Sequence, residues 1–318
     1  MPLFSAEESD AARALVYDQM DPTPQIAWPL LGQSLGAEVI VKHENHAPTG
    51  AFKVRGGLFY MDRLVRRDPA VRGVVTATRG NHGQSIALAA KRHGRTATIL
   101  VPHGNSVEKN AAMRAFGAEL IEHGRDFDEA REEAARLAVT RGLHPVPSFD
   151  PDLVAGVATY ALEMFEALAD IDTVYVPIGM GSGICGVVTV RDLLGLSTEV
   201  VGVVSDRFPI HARAFAGGEA VTTGPATTIA DGMAVRAADP RALAIVKAGV
   251  ARIVQVSDEE IALAMRAYYT DTHNLAEGAG AAPLAALLQE KAVMAGRRVA
   301  VILCGGNVDL AWFRRYVL

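Results

Sequence analysis

The sequence predicts an α/β protein whose parallel β-sheets are covered by helices on both faces. Short β-rich runs alternate with amphipathic or alanine-rich helical stretches along the 318 residues. The β-rich runs are apolar throughout rather than alternating, which is typical of parallel strands that are buried on both faces. Half of the residues are hydrophobic and 21% are charged, as expected for a globular protein.

Eight candidate strands and a series of long helical stretches follow one another along the chain. The predicted strands are 39–41, 73–77, 97–101, 119–122, 173–177, 200–204, 252–256 and 298–303. The predicted helices include 83–92, 108–116, 128–140, 153–168, 184–194, 258–269 and 283–291. These strands are compatible with one large sheet or with two smaller ones.

The order of these elements predicts two domains. The stretch from 73 to 149 is a compact βαβαβα unit, and a proline-rich segment at 144–151 closes it. We therefore expect a small inserted βα domain at 73–149 and a large domain built from 1–72 and 150–318. No low-complexity linker and no internal repeat is found in the sequence.

Composition excludes several classes of partner. The net charge of −5 and the pI of about 6.0 leave no basic surface for nucleic acid or for an anionic membrane. Two cysteines, Cys185 and Cys304, are too few for a disulfide framework or a cysteine-rich zinc site. The first residues lack a signal-peptide pattern, and no apolar run approaches the roughly 18 residues of a membrane span. We therefore expect a cytoplasmic enzyme or binding protein.

A glycine-rich loop between a strand and a helix predicts an anion site. Residues 178–186 read Ile-Gly-Met-Gly-Ser-Gly-Ile-Cys-Gly and lead directly into a helix, whose first N–H groups and positive dipole end attract anions. Gly181 to Gly186 also match the pattern G-x-G-x-x-G, and Asp206 follows 20 residues later, as in dinucleotide-binding proteins. A single phosphate group, a dinucleotide and a tight turn without a ligand are all compatible with this loop. A dinucleotide would indicate an NAD-dependent oxidoreductase.

Lys53 is the first candidate for a reactive side chain, because it follows a strand and opens a helix. The helix dipole and burial beside Phe52 would both disfavour its ammonium form. The neutral amine is the form that a Schiff-base nucleophile requires. On position alone, an ordinary solvated lysine is the simpler interpretation.

The residues around Lys53 change that interpretation. Positions 48–56, Pro-Thr-Gly-Ala-Phe-Lys-Val-Arg-Gly, closely resemble the Schiff-base lysine motif of the fold-type II pyridoxal-phosphate enzymes. Three further segments resemble this family in the same order: Thr-Arg-Gly-Asn-His-Gly-Gln at 78–84, the glycine loop at 179–183, and Leu-Cys-Gly-Gly-Asn-Val-Asp at 303–309. The resemblance implies a tryptophan synthase β-like fold of two domains, each with a parallel-rich sheet flanked by helices, and a large domain that binds pyridoxal 5′-phosphate.

Two of these segments are similar to the threonine/serine dehydratase and serine racemase branch of the family. They are the Asn-His pair at 81–82 and the Gly-Gly-Asn-Val-Asp ending. The resemblance implies an ammonia-forming carbon–oxygen lyase that converts a threonine- or serine-type β-hydroxy amino acid to a 2-oxo acid. It also implies a homodimer. Because the sequence ends one helix after Asp309, we expect no regulatory domain of the kind found in biosynthetic threonine deaminases.

The resemblance also implies the roles of individual residues. Lys53 would carry the cofactor as a Schiff base and abstract the Cα proton as the catalytic base. The cofactor would contact Phe52, Lys53, Asn81, Gly179, Met180, Gly181, Ser182, Gly183 and Cys304. The substrate would contact Thr78, Arg79, Gly80, Asn81 and His82. Taken singly, Asn81 and His82 are also compatible with a turn and a helix start, and Cys304 with a core cysteine.

The residues at three places, compared with those usual in the family, bear on the reaction. Cys304, expected to face the pyridine nitrogen, is a weak neutral group, which favours β-elimination over long-lived carbanion chemistry. Arg79 replaces the second serine of serine racemase-like proteins, so racemisation is not expected. Arg79 is either a solvated arginine or a clamp for a larger or doubly anionic substrate, such as 3-hydroxyaspartate, phenylserine or a hydroxyectoine-derived compound. Val204 and Ile210 replace acidic residues of the branch's metal site, so no metal is expected.

Overall fold

The computed structural model describes residues 3–168, 170–218 and 227–318, and these residues form two β-sheets flanked by helices. The strands are β1 (Gln25–Ala27), β2 (Glu38–His43), β3 (Gly73–Ala77), β4 (Thr96–Val101), β5 (Glu119–Glu122), β6 (His144–Pro145), β7 (Thr173–Pro177), β8 (Glu199–Ser205), β9 (Arg252–Val256) and β10 (Arg298–Leu303). The helices are α1 (Ala6–Gln19), α2 (Pro29–Leu35), α3 (Lys53–Arg67), α4 (Asn81–Arg92), α5 (Val107–Ala115), α6 (Phe127–Arg141), α7 (Pro151–Ala167), α8 (Ser182–Leu193), α9 (Ile210–Phe215), α10 (Pro240–Gly249), α11 (Asp258–Thr272), α12 (Gly278–Gln289), α13 (Lys291–Met294) and α14 (Leu310–Tyr316). Among the described helices, none combines the length and the apolar character that crossing a membrane requires.

The larger sheet has six strands in the order β1-β2-β10-β7-β8-β9. The short strand β1 is antiparallel to β2, and the other neighbours pair in parallel. Helices α8 and α12 pack against this sheet and are largely buried, and α7 packs against α8 and α3. This cover explains why the strands read as continuous apolar runs.

The smaller sheet has four parallel strands in the order β5-β4-β3-β6. Its hydrophobic core combines residues of β3, β4 and α4 with Val16 of α1 and with Val54, Leu58 and Met61 of α3. The four strands lie within 73–149, while part of their core is contributed by helices from outside that range. The domain boundaries themselves stay a prediction.

All eight predicted strands are present, and three of them extend by one to three residues beyond the predicted ends. The strands form two sheets rather than one large sheet, two arrangements that the sequence could not distinguish. Two strands were not predicted. Strand β1 has only three residues at the edge of its sheet, and β6 has two residues, one of which is Pro145. Such short segments carry too little periodicity to be recognised.

Helix α12 is the clearest difference from the predicted elements. We predicted a helix over 283–291, which would place Pro283 in its first turn, where proline is favoured. The helix begins five residues earlier at Gly278 and continues through Pro283. Ten consecutive residues from 278 to 287 are buried, so tertiary packing outweighs the hydrogen bond that the proline cannot donate.

The strand order places the sequence motifs beside one another. Strands β2, β10 and β7 are neighbours and run in parallel, so their carboxyl ends lie at one edge of the sheet. The segments that follow them are 44–53, 304–309 and 178–183. In open parallel sheets, ligands bind at the carboxyl ends of the strands. The motif that follows β3, at 78–84, belongs to the other sheet and meets α3 through helix α4.

Candidate active site

The lysine motif and the Gly-Gly-Asn segment are joined by backbone hydrogen bonds. The N–H of Phe52 donates to the carbonyl oxygen of Cys304 at 3.0 Å, and the N–H of Gly306 donates to that of Gly50 at 2.9 Å. Two motifs that are about 250 residues apart in the sequence therefore form one surface. This pairing fixes the backbone immediately before Lys53.

Lys53 is the first residue of α3, as the sequence predicts. Its Nζ donates a hydrogen bond to Ser182 Oγ at 2.9 Å and lies 4.8 Å from the ring centroid of Phe52. Burial lowers the pKa of Lys53 to about 8. An amine with this pKa is partly neutral near physiological pH, which suits a nucleophile that forms a Schiff base.

The glycine loop presents a row of free backbone donors next to Lys53. Gly181 is the N-cap of α8 with a φ of 103°, a left-handed conformation that favours glycine. Five consecutive N–H groups find no acceptor among the described residues, namely those of Gly179, Met180, Gly181, Ser182 and Gly183. Free N–H groups at a helix N-terminus are the donor set that a phosphate group requires, so the loop fits the phosphate of pyridoxal 5′-phosphate.

A second helix N-terminus lies at the small cavity that Lys53, Ser182 and His82 line. The N–H groups of Asn81, His82 and Gly83, in the first turn of α4, likewise find no acceptor in the described parts of the chain. The hydroxyl of Thr78 accepts a hydrogen bond from the N–H of Gly80 at 3.0 Å, which shapes the turn before the helix. These donors fit a second, smaller anion such as a carboxylate.

His82 and Arg79 occupy contrasting places in this turn. The Nε2 atom of His82 is buried and has no hydrogen-bond partner among the described residues. Burial, reinforced by the charge of Lys53, lowers the pKa of His82 to about 3, so its ring is neutral. Arg79 is exposed, and no side-chain partner is found for it within the described residues.

Asn81 is held by two residues that the sequence motifs did not assign. Its Nδ2 donates to Glu277 Oε1 at 2.6 Å, and its Oδ1 accepts from Asn307 Nδ2 at 2.9 Å. These two bonds fix the orientation of the amide, and the second hydrogen on Nδ2 stays available for a ligand.

Glu277 is the N-cap of α12 and is buried between Asn81 and Lys109. Lys109 Nζ lies 3.4 Å from Glu277 Oε2 and donates a hydrogen bond to Asp231 at 2.9 Å. Burial raises the pKa of Glu277, and the negative charge of Asp231 acts in the same direction, against the opposing effect of Lys109. The site therefore contains a carboxyl group that is easier to protonate than usual.

Cys304 is buried at the carboxyl end of β10. Burial raises its pKa well above the usual value, and the nearby Glu277 acts in the same direction. A neutral thiol can only make a weak hydrogen bond. The residue therefore offers no fixed charge to a ring nitrogen bound against it.

The structure thus brings Lys53, His82 and Ser182 around one small cavity, which Ser148, Leu153 and Val157 also line. Phe52 packs edge-on against Tyr160 beside the glycine loop. The sequence motifs assigned no role to Ser148, Glu277, Lys109 or Asn307, although Asn307 lies in the 303–309 segment. Lys109 is one of only six lysines in the sequence, but their scarcity does not distinguish it from the other five.

The amine of Lys53 has a lowered pKa and lies near two helix N-termini whose N–H groups are free among the described residues. This set of groups fits an α/β enzyme that holds a covalently bound phosphate cofactor. Comparison with known proteins agrees. The family described as pyridoxal-phosphate dependent enzyme matches residues 16–305. The chain belongs to this family. Because the cofactor of the family carries a single phosphate, the dinucleotide interpretation of the glycine loop receives no support.

Individual relatives show the same branch. An L-threonine ammonia-lyase of Geobacter sulfurreducens is 37% identical over 87% of this chain and 69% of its own length. The solved structure of threonine deaminase isoform 2 from Solanum lycopersicum has a TM-score of 0.90 at 29% identity, covering 99% of this chain and 94% of that one. Maize serine racemase has a TM-score of 0.91 at 27% identity, covering 97% and 95%.

Proposed function

We propose that the protein is a dehydratase that converts a β-hydroxy amino acid, with L-threonine or L-serine as the first candidates, to a 2-oxo acid and ammonia. The observation that carries the proposal is the position of Lys53, whose amine of lowered pKa lies beside two uncapped helix N-termini. The relatives named threonine ammonia-lyase and threonine deaminase support the same reaction.

The glycine loop would hold the cofactor phosphate through the N–H groups of residues 179–183, with Phe52 beside the ring, Asn81 at its hydroxyl and Cys304 at its nitrogen. Joined to the substrate amine in place of Lys53, pyridoxal phosphate would withdraw electrons from the substrate Cα and so make the Cα proton acidic. The neutral thiol of Cys304 limits this electron withdrawal. That limit suits a reaction in which the electrons leave at once with the β-hydroxyl group.

The turn before α4 would bind the substrate carboxylate. The three free N–H groups in the first turn of α4 and the hydroxyl of Thr78 offer donors without a fixed positive charge. Because the ring of His82 is neutral, it adds no positive charge beside Lys53. The ring therefore does not oppose protonation of the Lys53 amine. Lys53 would accept the Cα proton at Nζ, as a general base with a pKa close to the working pH.

A second class of substrate is favoured by Arg79. Its exposed guanidinium lies in the carboxylate-binding turn and has no side-chain partner among the described residues. A substrate with a second carboxylate, such as 3-hydroxyaspartate, would supply that partner in bidentate geometry. Phenylserine and hydroxyectoine-derived compounds are the larger alternatives.

We also propose that the enzyme works in the cytoplasm as a homodimer. Both cysteines are buried and unpaired, which suits a reducing compartment. Exposed apolar side chains at the end of the chain, among them Leu310 and Trp312, would be covered in a dimer. Sedimentation of the purified protein distinguishes a dimer from a monomer.

The function is tested by measuring ammonia and 2-oxo acid released from L- and D-serine, L- and D-threonine, the isomers of 3-hydroxyaspartate, and phenylserine. We expect equal amounts of the two products from at least one of these compounds. A protein that binds the cofactor and releases ammonia from none of them would refute the proposal.

The role of Arg79 is tested by the substitution Arg79→Ser. Loss of a bidentate charged contact should lower kcat/KM for 3-hydroxyaspartate by about 10- to 100-fold, with a much smaller loss for L-serine. Arg72→Ser is the matched control, because Arg72 is also exposed and immediately precedes β3, at the end of the strand opposite to Arg79. A uniform loss across substrates would refute the clamp.

A further inference from the structure

His211 contacts the glycine loop from outside the cavity. It lies on the short helix α9, which follows β8, and only 1% of its surface is exposed. Its Nε2 lies 3.1 Å from the carbonyl oxygen of Gly179, the first residue of the loop. No motif in the sequence pointed to this residue.

The contact determines which ring nitrogen carries the hydrogen. A carbonyl oxygen can only accept, so Nε2 must be the donor. The Nδ1 atom is buried and has no partner among the described residues. Burial lowers the pKa of His211, which keeps the ring neutral with Nδ1 unprotonated. The histidine therefore acts as a fixed, uncharged donor.

Gly179 is also constrained on another side. A side-chain β-carbon at this position would lie 2.3 Å from the carbonyl oxygen of Gly232, so the two backbones are in close contact. The peptide that joins Gly179 to Met180 is thus held by His211 at its oxygen and by Gly232 at its α-carbon. Such a peptide has little freedom to rotate.

The direction of one carbonyl fixes the direction of the next N–H. In a trans peptide the two point to opposite sides of the chain. Because the oxygen of Gly179 points to His211, the N–H of Met180 points away from it, and this N–H finds no acceptor among the described residues. A rotated peptide would instead present the carbonyl oxygen on that side, where it would repel an anion.

We propose that His211 is a positioning residue that orients the Gly179–Met180 peptide so that the N–H of Met180 faces the cofactor phosphate. The inference rests on the proposed role of the glycine loop as the phosphate site, and it is independent of which amino acid the enzyme consumes. It predicts a defect confined to ligands that carry the phosphate.

The test compares pyridoxal 5′-phosphate with pyridoxal, which has the same aldehyde and no phosphate. Both are titrated into the full-length chain after removal of its cofactor, for the wild type, His211→Leu and His211→Gln. For His211→Leu we expect the Kd for pyridoxal 5′-phosphate to rise about tenfold, as for the loss of one hydrogen bond that supports a charged ligand. The Kd for pyridoxal should change less than about twofold on the same scale.

His211→Gln retains an N–H donor of similar reach and should recover most of the affinity. His144→Leu is the matched control. The Nε2 of His144 also makes a side-chain hydrogen bond, to Tyr60 at 2.9 Å, but His144 lies in the smaller sheet. Thermal unfolding of each variant without ligand identifies a general loss of structure.

Three results would overturn the inference: equal losses for both ligands, no loss for either, or the same loss in His144→Leu. If the wild type binds the two ligands with equal affinity, the loop is not a phosphate site and the inference fails with it. A protein that binds pyridoxal 5′-phosphate selectively but releases no ammonia would refute the proposed function and leave the role of His211 intact.

Discussion

Two groups of buried and partly buried charged residues lie near the start of helix α3, and they differ in how completely they are paired. We call Lys42, Glu44, Arg55 and Glu163 the paired cluster. Arg55 Nε donates to Glu44 at 2.7 Å and Nη1 to Glu163 at 2.7 Å, while Lys42 donates to Glu163. These side chains have between 0% and 6% of their surface exposed, and the two cations balance the two anions.

We call Lys53, Lys109, Asp231 and Glu277 the open cluster. Lys109 pairs with two carboxylates, while Lys53 has only the hydroxyl of Ser182 as a hydrogen-bond partner among the described residues. The buried Nε2 of His82 next to it has no partner in the same set. Buried polar groups are normally paired, so the unpaired ones mark the place where a ligand supplies what is missing.

The difference explains how one helix serves both structure and chemistry. Lys53 and Arg55 are two residues apart in the first turn of α3, so their side chains point in different directions. The paired cluster anchors the turn through Arg55, and that anchor holds Lys53 in a position where its own charge is poorly compensated. The two clusters therefore predict opposite responses to substitution.

The largest effect is expected on catalysis at Lys53. Lys53→Ala should lower kcat for ammonia release by at least about 10³-fold, because it removes both the attachment point of the cofactor and the general base. Its free energy of unfolding should not fall, since the variant no longer buries a poorly paired amine. Lys247→Ala, at an exposed lysine, is the control and should keep full activity.

The paired cluster should respond in stability. Arg55→Met leaves two buried carboxylates with one cation, and we expect the free energy of unfolding to fall by about 3–5 kcal/mol in urea titrations. Arg13→Met breaks an ion pair with Glu166 whose side chains are about 40% exposed, and it should cost less than about 1 kcal/mol. Similar losses in the two variants would contradict the distinction between the clusters.

The pH dependence of stability follows from the pKa of Lys53, which burial lowers from 10.5 to about 8 in the folded protein. Between these values the unfolded chain binds more protons, so the free energy of unfolding rises with pH. Relative to Lys53→Met, the cofactor-free wild type should gain about 3 kcal/mol between pH 7 and pH 10.5. Parallel curves for the two proteins would show that the amine of Lys53 is not desolvated.

The smallest effect is expected from neutralising Glu277. Burial already raises its pKa, and Lys109 keeps Asp231 as a partner in Glu277→Gln. The amide still accepts from Asn81, so the free energy of unfolding should change by less than about 1 kcal/mol. Glu163→Gln, the same change in the paired cluster, should cost several times more. Equal losses would place Glu277 among the structural ion pairs.

Much of the fold was predictable because parallel strands leave a local signature. The eight apolar runs are strands. Strands β1 and β6 were not predicted, because two or three residues are too few to show a periodic pattern. The predicted start of α12 at Pro283 was wrong, because burial of the whole helix outweighs the preference of proline for the first turn.

The site was predictable only where one motif holds the chemistry. The Lys53 motif and the glycine loop could be read directly from the sequence. The contacts of Glu277, Asn307 and His211 could not, although Asn307 lies in the 303–309 motif. Each of these residues meets its partner through the packing of helices and the strand order β2-β10-β7 rather than through local spacing. Such contacts join residues between 32 and 226 positions apart in the chain.

The claim that the open cluster is the cofactor site is tested most directly by finding which lysine carries pyridoxal phosphate. The purified holoenzyme is reduced with borohydride, digested and mapped by mass spectrometry, which locates the reduced adduct among the six lysines. We expect the adduct on Lys53 alone, and none in Lys53→Ala. An adduct on Lys109 or on Lys42, or no adduct in an enzyme that is active, would contradict the account.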